Sequence, residues 1–228
     1  MARLAAQAGT HTIVATPHVH GDVDLDSLAT RVAALNTELR RQEVKIDVIT
    51  GAEVLVSALP GLSDSDLEKV TLGVGRAVLV ESPRDDGPHD LESLLFDGLR
   101  SKNFVPVLSR PERCPLFLRR PELLGRLVHA GSLCSITRAS IEGEFGSAVR
   151  RFTSHLLASG WVHNVGTDSH DPESRPPSLE WPRMRARGPN RAHWEWLTLR
   201  APAALLAGGA MPPDPSRAKR SLRRAPAV

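Results

Sequence analysis

FVPVLSRPERCPLFLRRPELLGRLVHAGSLCSIT, residues 104–137, reads as one strand–helix–strand unit. The apolar run 104–109 has strand length, the stretch 121–130 has helical spacing and stops at Gly131, and SLCSIT (132–137) is a second strand. Two strands joined through a helix run parallel, and such crossovers are right-handed.

Outward from this unit the pattern repeats. TIVAT (12–16) is a β-branched run. Asp24–Glu43 places Leu25, Leu28, Val32, Leu35 and Leu39 at intervals of three and four, an amphipathic helix that Asp24 or Asp26 is suited to cap. IDVITGAEV (46–54) and RAVLVES (76–82) read as strands, Asp90–Lys102 and Gly146–Ser159 as helices, WVHNVGTD (161–168) as a strand and Ala192–Ala207 as a last helix. Alternation of this kind predicts an α/β fold with parallel strands, either a β/α barrel or an open doubly wound sheet. Residues 1–8 read as the second half of a helix with no capping residue before it, so the chain reads as starting inside a βα unit.

Composition narrows the class. The 228 residues are 41% hydrophobic, 24% charged and 4% aromatic, which is globular. No apolar run approaches the roughly 18 residues of a membrane span, and the N-terminus lacks a signal-peptide pattern, so a cytoplasmic protein is expected. Two cysteines, Cys114 and Cys134, make neither a disulfide framework nor a Cys-rich zinc site. The net charge of +3 has a local origin: residues 212–228 carry +4, which leaves −1 for the rest. That Pro- and Arg-rich end reads as a solvated, disordered terminus, and no nucleic-acid partner is expected.

Polar residues recur just past the apolar part of each strand. His18 and His20 follow TIVATP, Glu53 follows DVITGA, and Glu81 follows RAVLV. Arg110, Glu112 and Arg113 follow VPVLS, and Asp168 and His170 follow VHNVGT. Each residue alone has an ordinary explanation as a loop residue, cap or surface charge. Their recurrence at the C-terminal ends of successive strands, where parallel folds assemble sites, points to a metal centre. Imidazoles with several carboxylates suit manganese, iron or zinc better than calcium. Arg113 and Arg175 add planar forks that match phosphate oxygens, and metals with arginines point to phosphoester hydrolysis. For Arg175 a loop salt bridge is the competing explanation.

Three other patterns carry less. Cys114–Arg120 fits the spacing of a thiol phosphatase loop, but Pro115 removes a backbone donor and Leu116, Phe117 and Leu118 are bulky where a phosphate cradle needs freedom. Gly73-Val-Gly75 lacks the third glycine of a dinucleotide site, and Asp85-Asp86-Gly87 is a turn signal.

ATPH (15–18), GAEV (51–54), VES (80–82), PVLSRPER (106–113) and above all GTDSHDPESRPPSL (166–179) resemble the PHP-superfamily tyrosine phosphatases of bacterial polysaccharide operons, the CpsB/CapC/YwqE type. The likeness runs from residue 1 to about 180 and continues loosely to LRAPAALLAG (199–208). It implies a distorted β/α barrel of PHP type, lacking its first strand in this chain, over residues 1–208, with 209–228 as a basic tail. It also implies a metal centre, usually of three manganese ions, in which His18 and His170 hold one metal, Glu53 bridges two others, and Glu81 and Asp168 bind one each of that pair. Arg113 and Arg175 are then the catalytic residues that bind the phosphoryl group. The implied substrate is phosphotyrosine on a partner kinase of capsule or exopolysaccharide export, and the chain's own lack of tyrosine fits action in trans.

Two departures bear on activity. The family opens on a strand with an H-x-H pair and an Asp ligand, and this chain starts downstream of them. The family's H-P-E-R reads Arg110-Pro-Glu-Arg113 here, and a permanently charged guanidinium cannot bind a metal. Fewer than three ions are therefore expected, manganese first and iron or zinc as alternatives. Three functions follow: an active metal-dependent tyrosine phosphatase, a degenerate member that binds phosphoprotein without hydrolysis, and a PHP phosphoesterase acting on a small substrate such as histidinol phosphate.

Overall fold

The computed structural model describes residues 1–19, 24–83, 90–182 and 188–216. Among these, eight parallel strands form two sheets. β1 (Thr12–Ala15) pairs with β3 (Asp47–Thr50). β2 (His18–Val19), β4 (Glu53–Leu55), β5 (Ala77–Glu81), β6 (Val105–Ser109), β7 (Leu133–Thr137) and β8 (Asn164–Gly166) make a six-stranded sheet in that order. Neighbours follow chain order without reversal. That is the order of a β/α barrel wall, and it removes the doubly wound alternative, whose strand order turns back at a switch point.

The two sheets are one bent pair of strands continuing into the larger sheet. TIVATPHV yields β1 and β2 on either side of Pro17, and the expected single strand 46–54 is likewise broken at Gly51-Ala52 into β3 and β4. A proline has no N–H for a ladder. At Gly51 a Cβ would stand 2.8 Å from Val14 Cγ1 and 2.9 Å from Leu72 Cδ2, so the bend needs glycine. Past the bend, Glu53 N donates to Pro17 O (3.0 Å) and His18 pairs in register with Glu53.

Helices fill the crossovers. α1 (Ala2–Gln7) precedes β1, α2 (Ser27–Arg41) leads to β3, α3 (Asp64–Val70) to β5 and α4 (Leu91–Gly98) to β6. α5 (Pro115–Arg119) and α6 (Pro121–His129) join β6 to β7, and α7 (Arg138–Glu142) and α8 (Ser147–Ser159) join β7 to β8. α9 (Arg191–Glu195), a π turn at Trp196–Arg200 and α10 (Ala201–Leu206) replace the single expected last helix. Asp24, not Asp26, caps α2: its Oδ1 accepts from the N–H groups of Asp26 (3.1 Å) and Ser27 (3.3 Å). α3 has no counterpart in the apolar spacing. It starts on a reciprocal capping box in which Ser63 and Asp66 each accept the other's backbone N–H.

The core lies where β5 and β6 meet the helices. Val78, Val80 and Leu108 are at most 1% exposed and pack with Leu95, Leu124, Leu156 and Leu197. A cavity left there by Leu124→Ala costs about 3 kcal/mol.

Residues 212–216 pack against the last helices. Trp196 Nε1 donates to Pro212 O (3.0 Å), His193 Nε2 lies 3.6 Å from Asp214 Oδ1, and Asp214 accepts from Ser216 N and Oγ (both 2.8 Å). These contacts involve the first residues of the expected tail, 209–228. The basic residues from Arg217 on, His20 and the Asp85-Asp86-Gly87 turn lie outside the described residues.

Candidate active site

Strand register delivers the carboxylates and the imidazole. His18 and Glu53 face each other across β2 and β4, and Glu53 and Glu81 are offset by two residues across β4 and β5, with Leu55 opposite Glu81. His18 Nδ1 lies 3.5 Å from Glu53 Oε2 and 3.5 Å from Glu81 Oε2. Both carboxylates are buried, Glu53 at 5% and Glu81 at 3% exposure. Buried acids are costly unless paired with a cation, so this corner has the chemistry of a cation site.

The next strand ends supply the arginines. Arg110 follows β6 with φ +51°, a left-handed backbone conformation that non-glycine residues avoid. Its own N–H donates to Ser135 O (2.8 Å), which holds the turn. The guanidinium lies between three acids: Nη2 is 2.7 Å from Glu53 Oε1 and 3.9 Å from Glu81 Oε1, and Nη1 is 3.3 Å from Asp168 Oδ1. Burial alone would lower the Arg110 pKa, but attraction from Glu53 and Asp168 outweighs it and holds the group above its ordinary value.

Asp168, two residues past β8 and also at φ +51°, gathers the rest. Its Oδ2 accepts from Arg113 Nη1 (3.0 Å) and Arg175 Nη1 (3.3 Å), so three guanidiniums converge on one carboxylate. Strained backbone at two site residues on different strand ends, Arg110 and Asp168, is the signature of geometry imposed by the surrounding fold. His170 is exposed, and its described contacts are on this side: Nδ1 is 2.8 Å from Asp168 O and 3.4 Å from Arg175 Nη1. The carbonyl only accepts and the guanidinium only donates, so the two contacts ask opposite roles of Nδ1, and the shorter carbonyl contact favours the tautomer with the proton on Nδ1.

Each expected site residue is thus placed, but in two groups. His18, Glu53 and Glu81 form one, and Asp168, His170, Arg113 and Arg175 form the other, with Arg110 wedged between. Among the described residues no group of three or more His, Cys, Asp or Glu is disposed as a finished metal cage. The 3.5 Å separations around His18 lie between ligand atoms, and two ligands about 2.1 Å from one ion at a tetrahedral angle stand about 3.4 Å apart. The donor set on the His18 side fits a divalent cation. The space between Glu53 and Asp168 does not, because a fixed positive charge already bonds both acids.

Three supporting residues were missed by motif reading. Phe145 lies flat against Arg113, with Cζ 4.0 Å from the ring centroid. Asp171 builds the turn that carries Arg175: Oδ1 accepts from Glu173 N (2.8 Å) and Ser174 N (2.6 Å), and the Ser174 hydroxyl bonds Oδ2. Those donors, the Ser174 hydroxyl first, pull its carboxyl down to about 2. An Asp followed by Pro and then small polar residues is a turn signal that was available in the sequence. Glu112, noted only as one polar residue of the β6 loop, is fully buried and ties that loop to β7: Oε1 accepts from Thr137 N (2.9 Å), Thr137 Oγ1 (3.1 Å) and Ser140 Oγ (2.7 Å). Burial pushes its carboxyl pKa up. The competing thiol-phosphatase pattern is excluded, since Cys114 is buried and its Sγ donates to Pro83 O (3.0 Å).

Comparison with known proteins agrees with the strand-end motifs. The family model for capsular polysaccharide synthesis, CpsB/CapC, matches residues 1–199. The tyrosine-protein phosphatase YwqE of Bacillus subtilis (strain 168) is 34% identical over 181 residues, which cover 77% of this chain and 70% of YwqE. The putative tyrosine-protein phosphatase CapC of Staphylococcus aureus is 25% identical over 169 residues, 72% of this chain and 65% of CapC. A chain from the crystal structures of YwqE from B. subtilis and CpsB from Streptococcus pneumoniae, described as unique metal-dependent tyrosine phosphatases, superposes with a TM-score of 0.77 at 25% identity, over 92% of this chain and 86% of that one. The resemblance carried by ATPH, GAEV and the 166–179 string is borne out, and the chain belongs to the CpsB/CapC family.

Proposed function

We propose that the protein is a metal-dependent protein-tyrosine phosphatase that removes phosphate from a partner kinase of capsule or exopolysaccharide synthesis, in the cytoplasm. The observation that carries the reading is the convergence of Arg113 and Arg175 on Asp168 Oδ2, beside the His18–Glu53–Glu81 corner at one end of the sheet. The named activities of YwqE, CapC and CpsB support it. No described helix is long and apolar enough to cross a membrane.

In this reading His18, Glu53 and Glu81 hold the metal, manganese first and iron or zinc as alternatives, with fewer than three ions in all. Bound there, it supplies Lewis-acid polarisation of the phosphoryl group and a water acidified toward neutral pH. The protein's own groups do the rest. Arg113 and Arg175 exchange their shared carboxylate for phosphoryl oxygens, where planar forks stabilise charge that grows in the transition state. Phe145 keeps the Arg113 guanidinium flat, and the Asp171 turn with the Ser169 Oγ–Arg175 O bond (2.5 Å) fixes the other arginine. Asp168 aligns both arginines, and His170 offers Nε2 to a ligand.

One observation favours the second reading, a folded member that binds phosphotyrosine without hydrolysis: Arg110 satisfies Glu53 and Asp168 without a metal. Phosphate release from a phosphotyrosine peptide, from a phosphoserine peptide and from histidinol phosphate, each with Mn²⁺ and with EDTA, separates these readings. The phosphatase reading expects release from the phosphotyrosine peptide with Mn²⁺, its loss in EDTA, and much slower release from the other two substrates. Tight binding of the phosphotyrosine peptide without release, by a protein shown to be folded, refutes it in favour of the second.

A further inference from the structure

We propose that the Arg110 guanidinium is a resident cation of the site, holding the place between Glu53 and Asp168 against a divalent ion and leaving metal uptake to the His18 side alone. Charge balance supports this. Glu53, Glu81 and Asp168 face Arg110, Arg113 and Arg175, so the cluster carries no net charge before any metal binds.

Geometry supports it as well. Arg110 Nη2 donates to Glu53 Oε1 at 2.7 Å and Nη1 to Asp168 Oδ1 at 3.3 Å, so an ion bound to either oxygen would have to displace the hydrogen aimed at it. The guanidinium cannot escape by losing its proton. Its side chain is 17% exposed, its Nε donates to Ser109 Oγ (3.2 Å), and its backbone is held at φ +51° by the bond to Ser135 O. The fold is therefore built around this side chain rather than merely tolerating it.

The inference deepens the metal reading above and rests on it for the His18 side, but its test needs no substrate, so the two fail separately. Mn²⁺ per chain is counted by elemental analysis after equilibrium dialysis, and Tm is read in EDTA and in saturating Mn²⁺, for the wild-type chain and for Arg110→Gln and Arg110→His. The wild-type chain is expected to hold at most one ion. Arg110→Gln takes the guanidinium from buried Glu53, while Asp168 keeps Arg113 and Arg175, so its Tm in EDTA falls and Mn²⁺ restores it by roughly 5 °C or more. Arg110→His, which replaces the cation with a ligand, is expected to gain an ion. Two or more ions on the wild-type chain overturn the proposal even if neither variant folds. Variants that match the wild type in both ion count and Mn²⁺-induced Tm shift overturn it too.

Discussion

The His18 corner and the Asp168 corner of one site are both built on carboxylates and neutralised by different means. Around His18, two nearly buried carboxylates meet an imidazole and share one guanidinium. Around Asp168, one carboxylate takes three guanidiniums. The first corner carries surplus negative charge and suits a cation, while the second carries surplus positive charge and suits an anion. Side by side, these are the two demands of phosphomonoester hydrolysis: a place for the metal and a place for the phosphoryl oxygens.

The largest expected effect comes from removing the acid that organises the second corner. Asp168→Ala takes from Arg113 and Arg175 the carboxylate they share, leaves Arg110 to Glu53 and Glu81, and removes the alignment of the two arginines. Phosphate release should fall at least about 100-fold and stability by about 3 kcal/mol, read by steady-state kinetics and by urea denaturation. Unchanged kinetics would show that the arginine corner does not bind substrate. His170→Ala removes the exposed imidazole beside it and should slow phosphate release with little change in Tm or in Mn²⁺ content, since the metal is held on the His18 side; a lost ion would contradict that division.

A smaller effect is expected at Phe145, which stacks on Arg113 of the second corner. Phe145→Ala frees the Arg113 guanidinium, and loss of a cation–π contact of about 1 kcal/mol should raise KM roughly fivefold while leaving Mn²⁺ affinity unchanged. A change in metal affinity with KM intact would mean that the two corners are not separable in this way.

The smallest effect concerns Glu112, which ties the β6 loop to β7. Its pKa is raised in the fold, chiefly by burial, so the fold favours the protonated form. The stability this contributes is complete below the unfolded carboxyl value of about 4 and is lost as pH rises through the folded value. Glu112→Gln keeps an oxygen for the Thr137 and Ser140 donors and cannot ionise. Its Tm relative to wild type should therefore improve with rising pH, which thermal melts between pH 4 and pH 9 would read. A Tm difference that does not vary with pH would contradict the argument.

These contrasts also explain what the sequence could convey. His18, Glu53, Glu81, Asp168 and the arginines were legible because parallel strands end on one side, so polar residues after successive apolar runs must meet there. Their division into two corners was not legible, since it depends on where Arg110 points. That direction is set by a left-handed backbone at residue 110 and a carbonyl from β7, neither of which has a local signal. Phe145 was missed because its stacking on Arg113 crosses from the α7–α8 connection to the β6 loop. The packing of residues 212–216 was not legible in composition. Buried Trp196 needs an acceptor for its indole N–H and takes Pro212 O, which draws residues 209–216 onto the body. Short elements such as α3 were missed because a capping box, not periodicity, defines them.

Crystals of the full chain grown with Mn²⁺ and orthovanadate, with data collected at the manganese edge, test the two-corner account most directly. The account predicts one anomalous peak against His18, Glu53 and Glu81, with Arg110 still between Glu53 and Asp168 and the vanadate oxygens on Arg113 and Arg175. Manganese between Glu53 and Asp168 with Arg110 turned away, or vanadate bound without either arginine, would contradict it.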